Sequence, residues 1–254
     1  TNRIANSLIE HLHVKQGDRV AVAMRNFPEL PILIMAIASI GAVVVPMNAW
    51  WTTEELKFAI EDSDSKIIFA DNQRYQRIEP LVENNGLTLV AVRDQEGPLN
   101  YSDLVKRASS NHWPTADIDT DDDFCVLYSS GSTGHPKGAV SCHRNINSAL
   151  FSWELDLAAR QLELGVSPPP ATEQAATLLA VPLFHATGSH AVFLQSYRAQ
   201  RKMVSMYRWD PLQAVQLIES ERITSFVAPA AMTGDLNEAG KQTNADLSSL
   251  LSVG

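Results

Sequence analysis

Short apolar runs rich in β-formers return along this chain between stretches of helical period, and few architectures accommodate that alternation. The runs are Arg19 to Met24, Val43 to Pro46, Lys66 to Ala70, Leu87 to Val92, Phe124 to Tyr128, Thr177 to Val181, Lys202 to Ser205 and Ile223 to Val227. Strands that alternate with helices predict an α/β fold of mostly parallel sheets with flanking helices. Thr52 with Glu55 has the spacing of a capping box, and Asp210-Pro211 reads as an N-cap followed by a first-turn proline. Beyond it, Leu212, Val215 and Ile218 share one helical face that would dock on a sheet.

No charged residue lies between Glu29 and Glu54, which invites a membrane-span reading. Pro31 and Gly41 divide that stretch, Pro46 closes it, and Val43-Val44-Val45 is β-branched, so a core helix followed by a core strand is expected. Trp113-Pro114 and the acidic run Asp121-Asp122-Asp123 mark a linker between two α/β lobes, residues 1–117 and 118–254. Ser167-Pro168-Pro169-Pro170 reads as a surface insertion. A net charge of -9 with no Lys/Arg cluster argues against a nucleic-acid surface, so an anionic ligand has to be gripped locally. Cys125 and Cys142 lack metal-ligand spacing and form no disulfide framework, which fits a cytoplasmic protein.

The local grip is found directly after Phe124 to Tyr128, in Ser129-Ser130-Gly131-Ser132-Thr133-Gly134-His135-Pro136-Lys137-Gly138. Glycines let main-chain N–H groups approach an anion, hydroxyls add donors, and Lys137 supplies a mobile point charge. Counting from Gly131, the position where a Walker A loop needs its second glycine is Pro136, and Gly131, Gly134 and Gly138 miss the dinucleotide fingerprint. This is a different phosphate device.

From Tyr128 to Ala139 the segment resembles the signature of the adenylate-forming superfamily, which includes acyl-CoA synthetases, luciferases and peptide-synthetase adenylation domains. Weaker blocks follow the family's order: Gly17 to Val22, Gly41 to Asn48, His143-Arg144-Asn145, and Arg222 to Ala230. Pro182-Leu183-Phe184-His185-Ala186-Thr187-Gly188 resembles the family's aromatic-His block. The resemblance implies the large N-terminal domain of an AMP-forming acid-thiol ligase, with ATP, Mg2+ and coenzyme A as co-substrates and a fatty or other hydrophobic acid as acyl donor. It implies that Ser129, Ser130, Gly131, Ser132, Thr133, Gly134 and Lys137 hold the β- and γ-phosphates, with Ser129 near the magnesium. His185 is implied where the acyl carboxylate meets the nucleotide, with Phe184 and Phe226 as apolar candidates nearby. A metal pair of His185 with His190 is a poor rival at that spacing.

The family's later motifs are missing after Gly254, so the resemblance implies a piece of a roughly twofold longer enzyme, inactive alone in acyl-CoA formation. The alternative is a non-catalytic binding module of the same fold that forms a homodimer through its exposed sheet edge. A phosphotransferase releasing ADP is the remote third reading, since no kinase Asp-Phe-Gly motif is present.

Overall fold

A computed structural model describes residues 1–129, 136–165 and 174–254. These divide into two compact units, Thr1–Ile146 and Asn147–Gly254.

The first unit runs α1 (Asn2–Glu10), β1 (Arg19–Ala23), α2 (Glu29–Ser39), β2 (Val43–Pro46), α3 (Thr53–Ser63), β3 (Ile67–Asp71), α4 (Asn72–Ile78), α5 (Val82–Asn85), β4 (Thr88–Val92), α6 (Tyr101–Arg107), β5 (Asp123–Ser129) and β6 (Lys137–Cys142), and ends in the first residues of α7 (His143–Glu163). Its strands form one sheet in the order β4-β3-β1-β2-β5-β6. Every neighbouring pair is parallel except β5 with β6. The fold is therefore the α/β architecture of mostly parallel sheet and flanking helices that the strand spacing predicts.

Both faces of strands β1 to β5 are covered, which is why these strands read as apolar runs. On one face Ala21, Val43, Val45, Ile68, Leu89 and Val126 pack with Leu56 and Ile60 of α3 and Tyr75 and Ile78 of α4. The alternate residues Val20, Val22, Val44, Phe69 and Val90 point the opposite way and are equally buried. The charge-free stretch is α2 followed by β2, as expected. Pro31 does not divide the helix but sits in its first turn, where no intrahelical N–H bond is required. At 11 residues α2 is roughly 16 Å long, far short of a bilayer core. Among the described residues no helix is long and apolar enough to cross a membrane.

Thr52 caps α3 in a complete capping box with Glu55. The sequence puts the lobe boundary at 117/118, whereas the compact units part within α7. The reason is pairing: β5 lies along β2 with Val44 opposite Cys125, and β6 lies along β5, so both strands belong to the first sheet. The acidic run before β5 is used structurally. Asp122 accepts from Gln16 Nε2 at 2.8 Å and from the Asp119 amide at 2.9 Å, while Arg144 donates from Nε and Nη2 to the two oxygens of Asp121.

The second unit holds the rest of α7, then β7 (Ala176–Leu179), α8 (Gln195–Arg198), β8 (Lys202–Ser205), α9 (Pro211–Glu221), β9 (Ser225–Phe226), α10 (Ala230–Thr243) and β10 (Ser252–Val253). Its parallel sheet has the order β10-β9-β7-β8. Asp210 caps α9 by accepting from the Gln213 amide at 3.0 Å, with Pro211 opening the helix. The docking face is formed by Ala214, Val215 and Ile218, which pack with Leu178 and Phe226; Leu212 stays exposed. The proline insertion falls outside the described residues.

At the carboxyl edge of the first sheet, Asp71 and Arg74 form a buried ion pair whose side chains are 3% and 5% exposed. Asp71 also accepts from the Arg25 amide after β1 at 3.1 Å, and Arg74 reaches the Ala49 carbonyl after β2 at 3.5 Å. Removing one partner leaves an uncompensated buried charge. Arg74→Ala is expected to lower stability by about 3–5 kcal/mol in equilibrium urea denaturation. The Asp71→Ala/Arg74→Ala pair should cost less than the sum of the two single changes.

Candidate functional site

The phosphate-loop sequence is strung between two paired strands. In the β5–β6 ladder Ser129 lies opposite Lys137 and Tyr128 opposite Gly138. The hydroxyl at the loop's entrance and the ammonium at its exit are thus cross-strand neighbours, about 5 Å apart at the backbone. Ser130, Gly131, Ser132, Thr133 and Gly134 lie outside the described residues. Ser129 and Lys137 are both exposed, which leaves their polar groups available to a ligand.

The ladder keeps this register because of close packing beneath it. A Cβ on Gly138 would come 2.8 Å from Val126 Cγ1 and 3.2 Å from Tyr128 Cζ, so the strand after the loop can press onto β5 only with glycine there. Tyr128 anchors the other side: its hydroxyl donates to Asp62 Oδ2 at 2.7 Å, and Trp51 meets its ring edge-on at 5.7 Å. Burial, followed by the neighbouring Asp62, pushes the phenol pKa upward, so it stays a neutral donor. Ser129 ends β5 on the same side as the carboxyl ends of the parallel strands β1 to β4, where open α/β sheets place ligand crevices. A cavity of about 510 Å³, lined among others by Met35, Trp113, Phe124 and His143, opens near the amino end of β5 instead.

In the second unit, β7 ends at Leu179 and the chain turns through Pro182 to His185, closed by the His185 amide donating to the Pro182 carbonyl at 3.1 Å. Gly188 packs against that same carbonyl so tightly that a Cβ would collide with it. A π-helix follows from Thr187 to Leu194. His185 is exposed and its ring lies 4.7 Å from that of the buried Phe184. Partial burial lowers the His185 pKa, which favours the neutral imidazole near neutral pH.

Phe226 is fully buried in the second core and stacks on Trp209 at 5.7 Å. His190 lies inside the π-helix with Nδ1 2.7 Å from Ser189 Oγ, and no cluster of His, Cys, Asp and Glu that could hold a metal occurs among the described residues. Cys125 and Cys142 are free thiols; burial pushes that of Cys125 up to about 12.

Sequence reasoning does not reach β6, the π-helix or the Ser189–His190 contact. Glycine at 138, immediately after the loop lysine, was the available signal for a strand pressed onto its neighbour.

The family model of the AMP-binding enzymes matches residues 1–254. A 4-coumarate–CoA ligase-like protein of Oryza sativa subsp. japonica is 34% identical over 99% of this chain and 45% of its own length. A long-chain-fatty-acid–CoA ligase of Mycobacterium tuberculosis is 29% identical over 87% of this chain and 41% of its own. The ATP-bound structure of MatB from Rhodopseudomonas palustris superposes with a TM-score of 0.81 at 26% identity, covering 99% of this chain and 47% of that one. The chain therefore spans less than half the length of these relatives. With its whole described fold and its full sequence matched, the chain belongs to the AMP-binding enzyme family.

Proposed function

We propose that this chain is the phosphate-gripping and acyl-site part of an AMP-forming acid–thiol ligase that activates a fatty or other hydrophobic carboxylic acid and passes it to coenzyme A. The observation that carries the reading is the pairing of Ser129 with Lys137 at the carboxyl edge of the parallel sheet. The CoA ligases among its relatives are named for different acids, which supports coenzyme A as the acceptor and does not choose the acid; the hydrophobic character rests on apolar residues such as Phe184 beside His185.

In the first half-reaction a carboxylate oxygen bonds to the α-phosphorus of ATP while the bond from that phosphorus to the bridging oxygen breaks, and pyrophosphate leaves. In the second, the thiol of coenzyme A attacks the acyl carbonyl and AMP departs. Such transfers are catalysed chiefly by positioning and by neutralising charge on the departing phosphates. In this chain Lys137 is the cation for that task, with the Ser129 hydroxyl as a hydrogen-bonding partner across the ladder. Magnesium enters as part of the metal–nucleotide substrate, which suits a site whose described residues offer a hydroxyl and no carboxylate cluster. Ser130, Gly131, Ser132, Thr133 and Gly134 are assigned to the phosphates by the same reading.

His185 is assigned to the acyl carboxylate. A neutral imidazole beside the Phe184 ring can donate one hydrogen bond to that anion without adding a second positive charge to the reaction centre.

Lys137 is exposed, so its loss should spare the fold. Lys137→Ala in the natural enzyme is expected to slow pyrophosphate release about 10²- to 10³-fold with an unchanged melting temperature. Unchanged adenylation kinetics would contradict the assignment. The nucleotide product is expected to be AMP; ADP would move the protein to the phosphotransferases. His185→Ala should lower kcat and raise KM for the acid while leaving KM for ATP near its original value, read from initial rates with each substrate varied.

A further inference from the structure

The carbonyl of His185 receives two hydrogen bonds from a single residue. The Ser189 amide donates to it at 2.9 Å and the Ser189 hydroxyl donates to it at 2.9 Å. The same hydroxyl oxygen lies 2.7 Å from His190 Nδ1. A carbonyl can only accept, and a serine hydroxyl has one proton to give. If that proton goes to the carbonyl, the ring donates from Nδ1 and His190 is the Nδ1–H tautomer; if it goes to Nδ1, at the shorter 2.7 Å, the ring carries its proton on Nε2.

The three groups form a chain running inward from the surface. Ser189 and His190 are 4% and 9% exposed, whereas His185 is exposed. Burial also lowers the His190 pKa, consistent with a neutral ring. Serine bonding back to the carbonyl four residues earlier bends a helix. Here it does so where the π-helix begins, and π-helical turns concentrate at functional sites. The turn is pinned from its other end by the His185 amide on the Pro182 carbonyl and by Gly188 packed against that carbonyl. The peptide groups on either side of the His185 side chain are thus both fixed, and the Ser189 side chain is a fixing element that is itself anchored in the interior.

We propose that Ser189, held by a donating His190, is a positioning residue that sets the direction of the His185 imidazole. The proposal rests on the reading of His185 as part of the acyl site, because the direction of the ring matters only if the ring is used. Ser189 itself touches neither substrate nor reacting atoms in this role.

The test is an NMR titration of the histidine rings, paired with adenylation kinetics, both on the natural enzyme. In the unaltered chain the ring nitrogens of His190 are expected to report the Nδ1–H tautomer; an Nε2–H tautomer overturns the proposal without any variant having to fold. In Ser189→Ala the His185 ring should lose its partly buried setting and titrate at the ordinary solvated-imidazole value. Ser189→Thr keeps a hydroxyl and His190→Asn keeps a donor at the Nδ1 position, and both should restore the original titration. Ser189→Ala should also lower kcat about tenfold to a hundredfold with KM for ATP unchanged. A folded Ser189→Ala protein with the original His185 titration and kcat, while His185→Ala is impaired, defeats the positioning role alone. A fully active His185→Ala protein defeats the acyl-site reading instead, whatever the titration shows.

Discussion

The β5–β6 ladder is the constraint on which the candidate site depends. β5 has two different neighbours: parallel β2 on one side, with Val44 opposite Cys125, and antiparallel β6 on the other. The first pairing fixes where β5 ends relative to the sheet's carboxyl edge. The second decides that the chain returns along the same line after the loop, so that its first and last chemical groups, Ser129 and Lys137, face each other. A one-residue slip would turn Lys137 to the opposite face of the ladder. The Gly138 contacts with Val126 and Tyr128, together with the Tyr128–Asp62 hydrogen bond, resist that slip.

Beneath the ladder, the same edge is stiffened by polar groups that the hydrophobic pattern does not display. Asp71 and Arg74 bridge the ends of β1 and β3 and the segment after β2, and Arg77 donates to the Trp51 carbonyl at 2.8 Å, beside the ring that supports Tyr128. A crevice at the end of parallel strands exposes backbone groups that have lost their ladder partners. Supplying those partners from a buried ion pair preorganises the edge and leaves the exposed Ser129 and Lys137 to a ligand. Desolvating the two charges is costly, and the cost is offset by their mutual attraction and by the main-chain groups each satisfies.

Much of this was legible in the sequence, for physical reasons that also explain what was not. Val43 to Pro46 coincides with β2 because a strand covered on both faces has to be apolar throughout, and Lys202 to Ser205 coincides with β8, an edge strand in which only Met203 and Val204 are half-buried. Thr52–Glu55 and Asp210–Pro211 were readable because a cap uses a fixed side chain at a fixed offset. β6 was not, since Lys137 to Cys142 is an exposed edge strand opening on the loop's own Lys-Gly and carries little apolar alternation. The lobe boundary at 117/118 followed composition, whereas the compact units follow strand pairing. Asp121 and Asp122 resemble linker residues in composition but hold Arg144 and Gln16. The π-helix is invisible to periodicity because Thr187 to Leu194 is nearly all apolar or small, and an apolar run of that length carries no period. Phe226 reads from the sequence as an apolar candidate near the pocket blocks, and in β9 it is a fully buried member of the second core.

The two candidate clusters solve a common problem by different means. On the proposed function, the phosphate-loop end has to present donors to a highly charged ligand; its chemical groups are exposed and only the strands behind them are packed. On the same proposal the His185 end has to present one neutral ring in one direction, and an exposed side chain has little of its own to hold it. Here rigidity is supplied through the main chain, by Pro182 and Gly188 on one side of His185 and by Ser189 backed by His190 on the other. Fixing the peptide rather than the ring leaves the imidazole nitrogens unengaged by the described residues, which the proposed bond to a substrate requires. That division, with packing spent on backbone and side chains left open, accounts for why the residues carrying chemistry could be read from motifs while those holding them in place could not.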